Sequence, residues 1–201
     1  MLTAFYRNDV TEAGCDEAGR GCLAGPVVAA AVVLPANYEN PLLRDSKKLT
    51  PARRELLRAE LEQTAVSWGI GVVCNEEIDR LNILKASFLA MHRALDQLAA
   101  TPGHILVDGN RFTPYRGIPH TCVVRGDSLY MSIAAASVLA KTHRDDLMKS
   151  LHLQFPVYGW SNNKGYPTRM HTRAIKQHGL SPLHRRSFRI KPVQKSIDFS
   201  N

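Results

Sequence analysis

An α/β architecture is expected of this 201-residue chain because short apolar runs bounded by glycine or proline alternate with stretches whose apolar residues recur every three or four positions. Composition agrees: 44% hydrophobic and 22% charged residues is ordinary globular usage and excludes a wholly disordered or collagen-like polymer. Two of the apolar runs also lead into aspartates, Asp108 and Asp127, and strand ends are where open α/β sheets carry their functional groups.

Residues 13–17 and 26–34 read as two strands joined by a glycine-rich turn, the second rich in Val and small residues that suit a sheet centre. A hairpin therefore starts the fold. Thr50 followed by Pro51 signals a helix start, and Leu57 with Leu61 supplies its apolar stripe to about Gln63. Val66, Trp68, Ile70 and Val72 alternate with small residues as a third strand. Asn75 with Glu76 and Glu77 then opens another helix. From Asn82 a longer helix is expected, with Leu84, Phe88, Met91, Leu95 and Leu98 covering the sheet. Residues 105–107 and 121–124 are short strands. The helix from Ser128 to about Ser150 turns Leu129, Ile133, Ala136, Ala140 and Leu147 inward, and its 134–136 alanine run permits close backbone approach. After Phe155 the chain is irregular until Thr168 caps a short helix closing at Gly179, and beyond about Ser187 it is polar and basic, a loose tail. There is no internal repeat and no low-complexity tract.

The longest apolar stretch, residues 27–34, is far shorter than the roughly 20 residues a membrane-spanning helix needs. The N-terminus has no basic lead followed by an apolar segment, so nothing argues for export. Cys15, Cys22, Cys74 and Cys122 lack metal-ligand spacing and are too few to staple a chain of this size, which fits reduced thiols in a cytoplasm. The net charge is +8, from 26 Lys plus Arg against 18 Asp plus Glu. The cations concentrate late, in Lys164, Arg169, Arg173, Lys176, Arg185, Arg186, Arg189, Lys191 and Lys195, where acids are nearly absent. That asymmetry favours a nucleic-acid partner.

Asp16 and Glu17 are adjacent acids on an otherwise small and apolar strand. Neighbouring side chains on a regular strand leave on opposite faces, so both serve one site only if the strand ends, bends or bulges there. With Asp108 and Asp127 also at strand ends, four carboxylates can converge. Hard divalent ions choose oxygen ligands, and two ions about 4 Å apart beside a phosphodiester need several carboxylates. Clustered acids repel DNA phosphates until bound metal reverses the sign, so acids inside a basic protein suggest nuclease or phosphoryl-transfer chemistry. Gly19-Arg20-Gly21 lets the backbone come close to sugar and phosphate while Arg20 pairs with phosphate. Lys47 and Lys48 are candidate phosphate contacts, and Lys141 either contacts phosphate or caps its helix C-terminally. No His-Glu-x-x-His, Cys-x-x-Cys or Gly-x-x-x-x-Gly-Lys pattern occurs, which argues against a zinc site or an ATPase; His171, close to Tyr166, has room for a supporting role.

Gly14-Cys-Asp-Glu-Ala-Gly-Arg-Gly21, Asp45-Ser-Lys-Lys-Leu-Thr50, Asp108-Gly109, Gly126-Asp127, Ala134-Ala-Ala-Ser-Val-Leu-Ala-Lys141 and Gly165-Tyr-Pro-Thr168 resemble, in order, the motifs of bacterial ribonuclease HII, a type 2 ribonuclease H. The resemblance runs from residue 10 to 188. It implies a mixed central sheet flanked by helices with a helical C-terminal portion, a catalytic domain over 1–188 and a basic tail over 189–201. It also implies that Asp16, Glu17, Asp108 and Asp127 form a centre for Mg²⁺ or Mn²⁺, with Asp127 either coordinating or orienting water and substrate. The implied reaction cleaves the RNA strand of RNA/DNA hybrids and embedded ribonucleotides in duplex DNA, leaving 3′-hydroxyl and 5′-phosphate ends. Gly19, Arg20 and Gly21 would read the 2′-hydroxyl, and Tyr166 would pack on the sugar at the junction to the next deoxynucleotide.

In the tail, Gln194, Ile197 and Phe199 are spaced like a sliding-clamp-binding peptide. Two other readings compete. Ribonuclease HIII would need an extra N-terminal domain for which nine residues leave no room. A non-catalytic hybrid-binding module would gain nothing from four acids without metal. Nothing in the sequence demands a dimer.

Overall fold

The computed structural model describes residues 2–43 and 49–189. Lys47 and Lys48, like Gln194, Ile197 and Phe199, lie outside the described residues. The chain begins with the expected hairpin, β1 (Glu12–Ala18) and β2 (Val27–Val33), which pair antiparallel with Asp16 opposite Ala30 and Glu17 opposite Ala29. Helix α1 (Pro51–Thr64) follows, its start capped by the Thr50 hydroxyl, which accepts from the Arg53 N–H. Next come β3 (Ser67–Val73), α2 (Asn75–Leu81), α3 (Ile83–Leu95), β4 (His104–Asp108) and β5 (His120–Val123). A 3₁₀ turn at Gly126–Ser128 leads into the long helix α4 (Met131–Gln154), and α5 (Trp160–Asn163) and α6 (Arg169–His178) complete the helical C-terminal portion.

The sheet has order β3-β2-β1-β4-β5, antiparallel across its hairpin side and parallel across β1-β4-β5. It is the mixed sheet expected. Both faces are covered, which is why β2 is buried at every position and reads as an unbroken apolar run. Ala13, Cys15, Ala29 and Ala31 pack with α3 on one face, while Ala30 and Val32 meet Leu57 and Leu61 of α1 and residues 134–136 of α4 on the other. A smaller cluster, built from Leu23, Met148, Tyr158, Trp160 and Ile175, joins the C-terminal helices to the segment after β1.

Three expectations need correcting. Helix α3 buries Ala86, Ala90, Met91, Ala94 and Leu95, leaving Leu84, Phe88 and Leu98 only partly covered. The cause is the small face of β3: a Cβ on Gly71 would sit 1.8 Å from the Ala90 carbonyl oxygen, so the helix backbone lies directly on the strand and only alanines fit beneath it. In α4, Leu129 precedes the helix and is exposed, as is Leu147, whereas the inward row runs on through Arg144 to Met148. Lys141 lies in the middle of α4, so it has no C-terminal cap to make; its Nζ donates to Asp145 at 2.6 Å.

Candidate active site

Strand β1 does not bend at its acids. Pairing with β2 is regular to Ala18, and the chain turns only at Gly19, whose φ of 99° favours glycine. What opens instead is the other edge: the β1–β4 ladder ends at Cys15 opposite Val107, so Asp16 and Glu17 stand beyond it, next to the end of β4 at Asp108. Asp16 is 6% exposed. Burial first, then the charges of Glu17 and Asp108, push its pKa well above the usual carboxylate range, against hydrogen bonds from the Ser137 hydroxyl and the Glu17 N–H. Glu17 is also raised, chiefly by burial and further by Asp108, while Arg20, bonded to its Oε1 at 3.0 Å, acts the other way. Three of the four acids thus share one electrostatic neighbourhood. Asp108 Oδ1 accepts from the Gly126 N–H at 2.7 Å, which ties β4 to the turn carrying the buried Asp127.

Among the described residues no three Asp, Glu, His or Cys side chains stand grouped to hold an ion. Glu17 is turned to Arg20 and Asp108 to the Gly126 amide. The donors are nonetheless all carboxylate oxygens, the set that hard divalent ions prefer, and a cation is what would relieve the repulsion that Asp16 bears. In that sense the donor chemistry fits Mg²⁺ or Mn²⁺.

A cleft of about 430 Å³ opens beside Glu17, lined also by Gly19, Arg20, Gly21, Lys141 and Tyr166. Arg20 and Gly21 are exposed on its wall, and a Cβ on Gly21 would lie 3.9 Å from the Tyr166 ring, so the turn and the tyrosine face each other. Arg54 and Ser137 line the cleft as well; Ser137 stands inside the 134–141 motif but has no role assigned, and nothing in the sequence around Arg54 marks it.

Arg144, which the sequence does not single out, and Arg185, expected among the late surface cations, are both almost fully buried. Arg144 donates to the carbonyls of Pro26, Lys164 and Ala24. Arg185 donates to those of Gly25, Arg20 and Pro26. A Cβ on Gly19 would collide with the Arg144 guanidinium, so the turn is laid directly on that cation. Burial lowers the Arg185 pKa to about 10, which leaves it charged at neutral pH. Between the two arginines and Tyr166 lies the Cys22 thiol, raised by its burial and drawn back by both cations. Arg185 therefore belongs to the interior and not to the late basic surface, which retains Arg169, Arg173, Lys176, Arg186 and Arg189 as exposed cations. All four cysteines are free thiols.

The chain is similar to the ribonuclease H2 of Pyrococcus horikoshii, with 28% identity and a TM-score of 0.76 over 90% of this chain and 94% of that one. It is similar too to the ribonuclease HII of Archaeoglobus fulgidus, solved in complex with PCNA, at 29% identity and a TM-score of 0.73 over 94% and 98% of the two chains. A mixed sheet of this topology, with acids at its inner strand ends beside a basic cleft, defines a ribonuclease H type endonuclease. The family model for ribonuclease HII matches residues 13–191, and the ribonuclease HII of Parabacteroides distasonis is 57% identical over 199 residues, 99% of this chain and 100% of that protein. The chain belongs to the ribonuclease HII family, whose reaction is cleavage of the RNA strand in RNA/DNA hybrids.

Proposed function

We propose that this chain is a divalent-metal-dependent endonuclease that cuts hybrids and also incises duplex DNA at single embedded ribonucleotides, leaving 3′-hydroxyl and 5′-phosphate ends. The observation that carries the reading is the buried Asp16 carboxylate, flanked by the charges of Glu17 and Asp108, beside a cleft lined by Arg20, Arg54 and Lys141. Asp16, Glu17 and Asp108 would hold Mg²⁺ or Mn²⁺, with Asp127 either completing the ligands or orienting water and substrate. Bound there, such ions would supply an activated water at neutral pH and charge to offset the leaving oxygen, so no protein nucleophile would be required.

The protein's own residues bind and orient. Arg20 releases Glu17 as it turns to a phosphate, and Arg54 and Lys141 meet neighbouring phosphates along the cleft. Gly19 and Gly21 bring main-chain N–H and C=O groups to the 2′-hydroxyl, the one group that distinguishes a ribonucleotide. The Tyr166 ring, opposite Gly21, lies on the sugar of the following deoxynucleotide. Lys47 adds a phosphate contact. Residues 1–188 form the catalytic unit and 189–201 a basic tail. The protein works as a cytoplasmic monomer. Among the described residues no helix is long and apolar enough to cross a membrane.

The test is incision of a duplex containing one ribonucleotide, with Mg²⁺ or Mn²⁺ added or withheld and the cut mapped. Metal-dependent cutting beside the ribonucleotide is expected. Equal cutting when its 2′-hydroxyl is replaced by hydrogen would make the protein a general nuclease.

A second contact is proposed for the tail: Gln194, Ile197 and Phe199 dock on a sliding clamp, a partner of the Archaeoglobus fulgidus relative. Deleting residues 193–201 should abolish clamp capture, and unchanged capture would remove the idea.

A further inference from the structure

Beneath the Gly165-Tyr166-Pro167 loop lies a chain of buried groups that the proposed chemistry does not use. His171 is 0% exposed and His184 1%. Trp160 Nε1–H donates to His171 Nε2 at 3.0 Å, and an indole nitrogen can only donate. His171 Nε2 is therefore the bare nitrogen, and Nδ1 carries the proton. Nδ1 lies 2.9 Å from the Tyr166 carbonyl oxygen, which can only accept, so the assignment closes without an alternative. The same logic applies one ring further along. The Ser181 main-chain N–H donates to His184 Nδ1 at 2.9 Å, which puts the proton on Nε2, aimed at His171 Nε2 at 3.1 Å. Hydrogen bonds thus run one way, from Ser181 through His184 and His171 to Tyr166, with the Trp160 and His184 N–H groups sharing the single lone pair of His171 Nε2.

This chain ends on the backbone of the loop's aromatic residue. The Tyr166 N–H is bound to the Asn163 carbonyl at 2.9 Å, and its own carbonyl accepts from the Thr168 N–H at 2.8 Å as well as from His171. Both main-chain groups are fixed, and the exposed half of the residue is the ring over the cleft. The relay also reaches the turn on the opposite wall. His184 bridges to Ala24, and the Leu23 N–H donates to the Gly165 carbonyl at 2.8 Å.

We infer that His171, oriented by His184 and Trp160, is a positioning residue that sets the distance between the Tyr166 ring and the Gly19-Arg20-Gly21 turn. The inference rests on the reading of Tyr166 as a sugar contact. A displacement of the ring of about 1 Å would cost far more in turnover than the hydrogen bond contributes to stability.

A double-mutant cycle tests it, with kcat/KM for the single-ribonucleotide duplex measured well below each variant's melting temperature. His171→Leu removes the donor, whereas His171→Asn can place an amide N–H near the former Nδ1. We expect His171→Leu to lower kcat/KM about tenfold and His171→Asn to restore most of it. In a Tyr166→Ala background the Leu substitution should change little, about twofold at most, because the residue it positions is gone. An equal loss in both backgrounds would overturn the inference and leave the sugar contact standing. A harmless Tyr166→Ala would overturn the sugar contact, and the inference with it. A measurement free of variants comes from long-range ¹H–¹⁵N spectra of the full chain at neutral pH. They should show His171 as the Nδ1–H tautomer and His184 as the Nε2–H tautomer, and the opposite form at His171 would overturn the inference whatever the kinetics.

Discussion

Asp108 accepts a hydrogen bond from the Gly126 N–H while its charge acts on both Asp16 and Glu17. A neutral isostere separates those two roles. Asp108→Asn can keep an oxygen toward Gly126 but brings no charge to the cluster, so we expect cleavage to fall more than about 100-fold while hybrid binding persists. Gel-shift and incision assays on one preparation check this, and full activity in the variant would remove Asp108 from the chemistry. The position of Asp108 is legible because it follows a short apolar run, an arrangement that places a carboxylate at a strand end before any contact is known, whereas Asp16 and Glu17 lie within β1 and join it only because the β1–β4 ladder stops at Cys15. Arg144 and Arg185 were not legible in that way. An arginine in a sequence reads as surface, and only tertiary structure shows the carbonyls of residues 20, 24, 25, 26 and 164 that surround these two. A faint sign existed for Arg144, which stands four residues from Ala140 and four from Met148 on the inward row of α4.

Helices and strands were read best where one signal sufficed and worst where two faces competed. The β2 run, the Thr50 and Thr168 caps and the Gly179 stop each rest on local chemistry, and each stands close to where it was expected. On α3 the spacing of the largest apolar residues predicts that they point inward, whereas β3 offers glycine there and admits only alanine against it. Gly71→Ala tests that contact: its methyl would meet helix backbone, which cannot yield as a side-chain tip does. A loss of about 1–3 kcal/mol is expected in urea unfolding, with turnover per folded molecule unchanged. The segment around α6 makes a second prediction. Burial lowers both relay histidines, and His184, lowered also by His171, falls to about 4, below the 6.5 of an ordinary imidazole. Between those values the unfolded chain binds more protons than the folded one. The stability present above pH 6.5 is therefore lost as pH falls towards 4. Unfolding midpoints from pH 7.5 to 4.5 should follow that course, and His184→Gln should flatten it.

Taken whole, the molecule sets a cationic cleft beside a buried acidic cluster and adds the exposed cations of its C-terminal portion. Its affinity for a hybrid should fall steeply with salt. Lys141→Ala should reduce the slope of log K against log salt by about one, as expected for the loss of one phosphate contact, without altering where the strand is cut. Net charge and late basic residues had already made nucleic acid the expected partner. They overstated the surface by counting Arg185, since composition holds no information about which cations fold inside. The two interior guanidinium groups bear on the thermodynamics of recognition. Each clamps main-chain oxygens, so the glycine turn is locked at once to the long helix and to the returning C-terminal strap, and it has little freedom left to surrender when a duplex arrives. Calorimetric titration should accordingly show only a small entropic penalty on association, the signature of a template set beforehand and not moulded by its guest.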